Sequence, residues 1–156
     1  MASNLTFATD VDNWCRQAEE RLLAVFRMSA QDVVSEMQKP VGAGGNMPID
    51  FGFLRASIRA SNDSMPQIDP SAKGGAPAVY NPREVNLVIA GTELGQPLYI
   101  GYTAAYATYL EYGTSKMAPR AFVRLAAMQW PQIVDRNIVK AKNTVLNGFA
   151  RLTKYD

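Results

Sequence analysis

From Trp14 to Met37 one side of the chain is apolar or small at every third or fourth residue: Trp14, Ala18, Leu22, Val25, Ser29, Val33 and Met37, widened by Leu23 and Phe26. This spacing predicts a single amphipathic helix. Thr9 and Asp12 read as its capping signal, and Pro40 and Gly42 as its stop, so it runs to about Lys39. Such a helix is more than twice the usual length of about 11–12 residues. A wide stripe of this length needs a broad partner, and a small sheet supplies one. Residues 1–8 read as a loose arm ahead of the cap.

Beyond Lys39 the chain becomes strand-like and turn-rich. Residues 40–53 hold four glycines and lack a Gly-Lys-Ser/Thr ending, so they do not read as a phosphate-binding loop. Leu54 to Ser61 alternates apolar and polar side chains, which predicts a half-buried strand with Arg55 and Arg59 outward. Residues 62–84 carry Pro66, Pro70, Pro77 and Pro82, with Met65, Ile68, Val79 and Tyr80 as apolar anchors. A stretch this long without regular structure reads as an extended loop used in assembly. Val85 to Ala90 and Leu98 to Tyr102 alternate again and read as a hairpin that joins the first strand in an antiparallel sheet. The fold class expected is therefore α+β: three or more strands packed against the long N-terminal helix and a C-terminal helix, all in one domain spanning 1–156. The C-terminal stripe is Phe122, Ala126, Trp130, Ile133 or Val134, Ile138, Ala141, Val145 and Phe149; Pro131 sits inside it, so a kink or a short break is expected near Trp130. Asn147 and Gly148 read as its end, with a loose tail over 150–156.

Between sheet and last helix lies AAYATYLEYGTSKMAPRAFVRLAA, residues 104–127. Tyr106 and Leu110 share a helical face, Gly113 reads as a left-handed stop, and Pro119 as the first turn of a new helix. The prediction is a sharp corner, with Glu111 at the end of the first helical piece and Arg120 and Arg124 at the start of the second. Either an internal ion pair among Glu111, Arg55 and Arg120 fixes this corner, or these charges meet a neighbouring subunit.

Chemistry is excluded more firmly than it is indicated. The chain has no histidine and one cysteine, Cys15, so histidine-based catalysis, cysteine zinc clusters and internal disulfides all fall away. No catalytic residue, metal ligand or cofactor site is expected, and no enzyme. Nothing reads as a signal peptide or membrane span. The net charge of +2 conceals an asymmetry: residues 10–36 carry a net −3 and residues 116–156 a net +6. Opposite ends can pair within one chain or head-to-tail between copies, or the basic end can face nucleic acid.

Three blocks resemble the tail-completion or neck proteins of long-tailed double-stranded DNA phages: MPIDFGFLRASI at 47–58, YTAAYATYLEYGTSKMAPRAFVRLA at 102–126, and QWPQIV at 129–134. The family pattern is matched by Asp50, Gly52, Leu54, Arg55 and Ser57; by Tyr106, Ala107, Glu111, Tyr112, Gly113 and Thr114; and by Pro119, Arg120 and Phe122. It departs at Phe51, where the family has a small polar residue, and at Ala121, which stands in place of a second proline. The resemblance implies a structural virion protein at the head–tail junction, assembled in the host cytoplasm. It implies a homo-oligomeric ring, a hexamer or dodecamer, through whose lumen DNA passes without sequence-specific binding. Its implied neighbours are head-closure or connector proteins on one side and a tail terminator or tail tube protein on the other. A tail terminator is the nearest alternative role; a DNA-binding accessory protein using the basic C-terminal helix is the alternative of another kind.

Overall fold

The computed structural model describes the backbone of residues 2–152 and the side chains of 6–144. The first helix, α1, spans Ala2–Met37. The expected loose arm at residues 2–8 is thus helical, and Thr9 lies inside the helix instead of at its start. No proline or glycine interrupts this stretch, and Phe7, Val11 and Trp14 extend the stripe backward at helical spacing. After a short 3₁₀ turn at Val41–Ala43 come α2 (Phe53–Ala56), β1 (Ile58–Ser61), α3 (Arg83–Gly91), β2 (Tyr99–Tyr102), α4 (Ala107–Tyr112), α5 (Phe122–Met128) and α6 (Trp130–Leu152).

Mixed helix and antiparallel sheet hold, but the sheet is smaller than expected. Among the described residues it has two strands, β1 and β2, with Ile58 opposite Tyr102 and Ser61 opposite Tyr99. The strand expected over 54–61 forms only from Ile58, its first residues being helical, and the strand expected over 85–90 is helical throughout. Residues 53–56 form one helical turn, which places Leu54 and Ile58, four apart, together in the core. Ser57 is buried, and its hydroxyl donates to the Leu54 carbonyl. Residues 83–91 alternate apolar side chains, yet Val85 and Ile89 are also four apart, and that pair is what the core buries. Pro82 holds φ at −70 ahead of the first turn, and Asn81 accepts a hydrogen bond from the Arg83 N–H. Together with Glu84 in the first turn, these are helix-start signals. Leu87, inward in a strand, points to solvent from the helix.

The core lies where the C-terminal half of α1 meets this small sheet, α3 and α5. Ala30, Val34 and Met37 of α1 join Met47, Leu54, Ile58, Val85, Ile89, Tyr102, Phe122 and Ala126. Tyr102 meets Phe122 edge-on, ring centroids 5.2 Å apart. Its hydroxyl is buried without a hydrogen-bond partner among the described residues, and burial pushes its pKa far above that of an ordinary phenol. The neutral form is therefore favoured on folding. That stability is complete below about pH 10, the unfolded value, and is lost as pH rises through the folded one. Tyr102→Phe removes an unpaired polar atom and keeps the ring contact. Thermal melts should show it equal to the wild type or more stable by about 1 kcal/mol at neutral pH. Above pH 10 the wild type should lose stability faster than the variant; parallel pH curves would exclude this account.

Helix α6 crosses α1. Trp130 packs edge-on against Phe26 at 6.1 Å. Ile133 is fully buried, and Asn137, also buried, donates to Ser29 Oγ and to the Asp32 carboxylate. Arg136 pairs with Asp32 at 3.1 Å. Desolvation works against the Asp32 charge, but the hydrogen bonds from Asn137 and Arg136 and the nearby cations outweigh it and hold its pKa below the usual aspartate value. The expected break falls at Gln129, between α5 and α6, with Pro131 in the first turn of α6 where no N–H is missed. Helix α6 continues through Asn147 and Gly148 to Leu152, so the end expected there is not present; a glycine inside a helix costs only about 1 kcal/mol relative to alanine. The side chains of Val145 and Phe149, and the expected tail beyond Leu152, lie outside the described residues.

Candidate assembly surface

The corner between α4 and α5 is built from the backbone outward. Glu111 is buried on α4, and its two carboxylate oxygens accept the N–H groups of Val123 and Arg124, each at 2.9 Å. These are among the first N–H groups of α5, which have no partner within their own helix. A carboxylate there satisfies them and sits at the positive end of the helix dipole. The Arg120 and Ala121 N–H groups donate to the carbonyls of Leu110 and Glu111. Gly113 has φ 77 and ψ −178, and the chain returns so tightly that a β-carbon there would stand 2.6 Å from the Met117 oxygen and 2.8 Å from the Pro119 nitrogen. Phe122 is buried beneath the corner; Pro119, Arg120 and Tyr112 lie on its surface.

The expected cluster of Glu111, Arg55 and Arg120 does not form. No ion pair joins them among the described residues. Arg55 lies over the Tyr80 ring, 5.3 Å from its centroid, and exchanges hydrogen bonds with Gln38: its Nε donates to Gln38 Oε1 and its carbonyl accepts from Gln38 Nε2. The Tyr80 phenol is raised by burial, against the opposing effect of the Arg55 charge. Arg120 is exposed. Ala121, where the family pattern has its second proline, sits at φ 51, a value closed to the proline ring. This corner is therefore closed by a different backbone from one ending in Pro-Arg-Pro-Phe.

The two loops expected to serve assembly come together. The Ala78 N–H donates to the Phe51 carbonyl at 2.9 Å. Gly52, at φ 77, lets the Ala78 carbonyl approach to where a β-carbon would stand 2.4 Å away. Residues 62–82 return to the body through the Asp69 N–H on the Thr103 carbonyl and the Ala105 N–H on the Ala72 carbonyl. Tyr106 packs on Phe53 at 6.3 Å beside a groove that Asp50, Gly52, Leu54 and Lys73 also line. Burial, then the neighbouring Asp50 charge, raises the Tyr106 phenol. Ile49, Phe51 and Val79 (91% exposed) project outward from the paired loops.

A second uncovered surface lies on the N-terminal half of α1. The stripe that is core from Val25 onward continues through Leu22, Trp14 (69% exposed), Val11 and Phe7 (70% exposed), all open to solvent. Its spacing alone makes this part of the stripe look like core. The Asn137–Ser29–Asp32 network has one signal in the sequence: an asparagine four residues after Ile133, on the apolar face of α6, marks a buried polar contact. Arg27, which donates from Nε and Nη2 to the Thr92 carbonyl at 3.0 and 2.8 Å, carries no signal in the sequence.

Among the described residues no group of acidic or cysteine side chains is placed to hold a metal ion, and no helix is long and apolar enough to cross a membrane. No family model, curated protein or solved structure matches the chain.

Proposed function

We propose that this chain is a structural, non-catalytic subunit of the head–tail junction of a long-tailed phage. It assembles as a homo-oligomeric ring of six or twelve copies that completes the tail and joins it to the DNA-filled head. Its neighbours in the virion are head-closure or connector proteins and the tail terminator or tail tube, and DNA passes through its lumen. The observation that supports this best is apolar surface left bare in two unlike places: the outer turns of α1, and the paired loops at Ile49, Phe51 and Val79. Bare apolar surface in two unlike places suits a subunit that makes more than one contact, as a ring subunit with unlike neighbouring surfaces does. Two of the three sequence blocks that resemble the phage neck proteins fall on the second patch and on the adjoining corner; the third, residues 129–134, opens α6. A DNA-binding accessory role is the second reading: Arg136 of the basic helix is tied to Asp32, while Lys140 and Lys142 are exposed.

Electron microscopy of lysates from a phage lacking this gene tests the reading. Filled heads beside detached tails of normal length are the expected result. Tails of irregular, excessive length would instead assign the protein to tube termination, and intact particles would overturn both structural roles.

A further inference from the structure

We infer that the N-terminal half of α1 is an intersubunit arm whose apolar stripe docks on the outer end of α6 of a second copy of this chain. The inference rests on the ring reading in one respect: it requires a contact between unlike surfaces.

The stripe is the starting point. Between residues 6 and 22 the helix extends roughly 25 Å, and every side chain along it is exposed. Two of them, Phe7 and Trp14, are aromatic, and aromatic side chains each bury about 150–250 Å² when covered. With Val11 and Leu22 they form the apolar centre of an interface whose standard size is about 800 Å² per partner. A surface of this kind on a stable helix marks an interaction site.

Charge selects the occupant. Residues 6–22 carry Asp10, Asp12, Glu19 and Glu20 against Arg16 and Arg21, and Arg16 is spent on Asp12 of the same helix. Arms packed only on one another would gather like charge. The outer end of α6 has the opposite sign: Lys140 and Lys142 are exposed, belong to no ion pair among the described residues, and flank exposed Val139 and half-buried Ile138 and Ala141. An acidic apolar stripe and a basic apolar helix end on the same chain are complementary between copies. Each subunit then gives its arm to one neighbour and receives another arm on α6, which is a heterologous contact that can close.

Cys15 supplies the test. It is the chain's one cysteine, exposed beside Trp14. Adding a second at Val139 (V139C) and oxidising the full-length protein should give a ladder of dimers, trimers and higher species on non-reducing gels, because each copy carries one partner cysteine on each surface. The wild type should give no ladder. Trp14→Glu in the V139C background should abolish the ladder while circular dichroism and melting temperature stay unchanged, since Trp14 is exposed within its own subunit. Cys15–Cys15 dimers in the wild type would replace this contact with an arm-to-arm one and overturn the inference. A V139C chain that stays unlinked would overturn it too. If rings are then still seen by electron microscopy, the interface alone is wrong; if the protein is never oligomeric and phage lacking the gene are intact, the ring reading fails as well.

Discussion

Gly113→Ala should be among the most damaging small substitutions in this chain, costing about 3 kcal/mol or more of folding stability. Two independent effects combine. The backbone at φ 77 and ψ −178 lies in a region open essentially to glycine alone, and forcing a side chain into it costs about 1–3 kcal/mol. The added carbon would also stand 2.6 Å from the Met117 oxygen and 2.8 Å from the Pro119 nitrogen, and neither backbone atom can move without opening the α4–α5 corner. Gly44 is the internal control. It too has positive φ, 80, but nothing lies within 4 Å of its would-be β-carbon. Gly44→Ala should therefore cost only about 1–2 kcal/mol, the strain of the left-handed conformation by itself. Urea denaturation of the two variants measures the difference. Equal losses would mean that the corner yields and that conformation alone makes the glycine necessary.

The same corner shows which kinds of structure a sequence displays. Gly113 is readable as a stop because a tyrosine-rich helical face ends there and a proline comes soon after. The body of α1 and its end are readable because its apolar residues keep a helical period over several turns, and the break before α6 because Pro131 cannot sit in a helix interior; the first turns of α1, expected as a loose arm, are not. Short elements are not. Val85, Leu87 and Ile89 satisfy a period of two, while Val85 and Ile89 also satisfy a period near four, and nine residues do not decide between them. The choice is made by what those two side chains meet in the core. Leu54 and Ile58 pose the same ambiguity, and there the answer is a helical turn and then a strand. The outer turns of α1 give a different kind of error. A stripe reports that a surface seeks cover, and it is silent on whether the cover comes from the same chain. Trp14 and Val25 look alike in sequence; only the folded body, which reaches Val25 and leaves Trp14 in solvent, separates them. Of the candidate residues, Asp50, Gly52, Leu54, Arg55 and Tyr106 gather around the paired loops, while Glu111, Tyr112, Gly113, Pro119, Arg120 and Phe122 belong to the corner.

Sequence spacing points to Glu111 as an ion-pair partner of Arg55 or Arg120, and the geometry gives it a different one. Its carboxylate holds the N–H groups of Val123 and Arg124, which no side-chain pattern in the sequence announces because backbone donors are common to nearly every residue. The consequence is a specific ordering of variants. Glu111→Ala leaves two helix N-terminal donors facing a void and removes a negative charge from the positive end of α5. The loss should be about 2–3 kcal/mol, a fall in melting temperature of roughly 6–10 °C for a chain of this size. Glu111→Gln keeps one acceptor oxygen but turns an amide N–H₂ toward the second backbone donor, so it should recover less than half of that loss. Arg120→Ala and Arg55→Ala, the changes an ion-pair account would rank beside Glu111→Ala, separate the two explanations. Arg120 is exposed and should be nearly silent. Arg55→Ala should cost about 1 kcal/mol through its stacking on Tyr80 and its contact with Gln38. That loss should add to the loss from Glu111→Ala in the double variant, because the two side chains share no bond. Strong coupling between Arg55 and Glu111 would restore the ion-pair account and require a different side-chain arrangement at the corner. Additivity would leave Glu111 as the clamp that holds α5 against α4, and with it the buried Phe122 on which the Tyr102 ring rests.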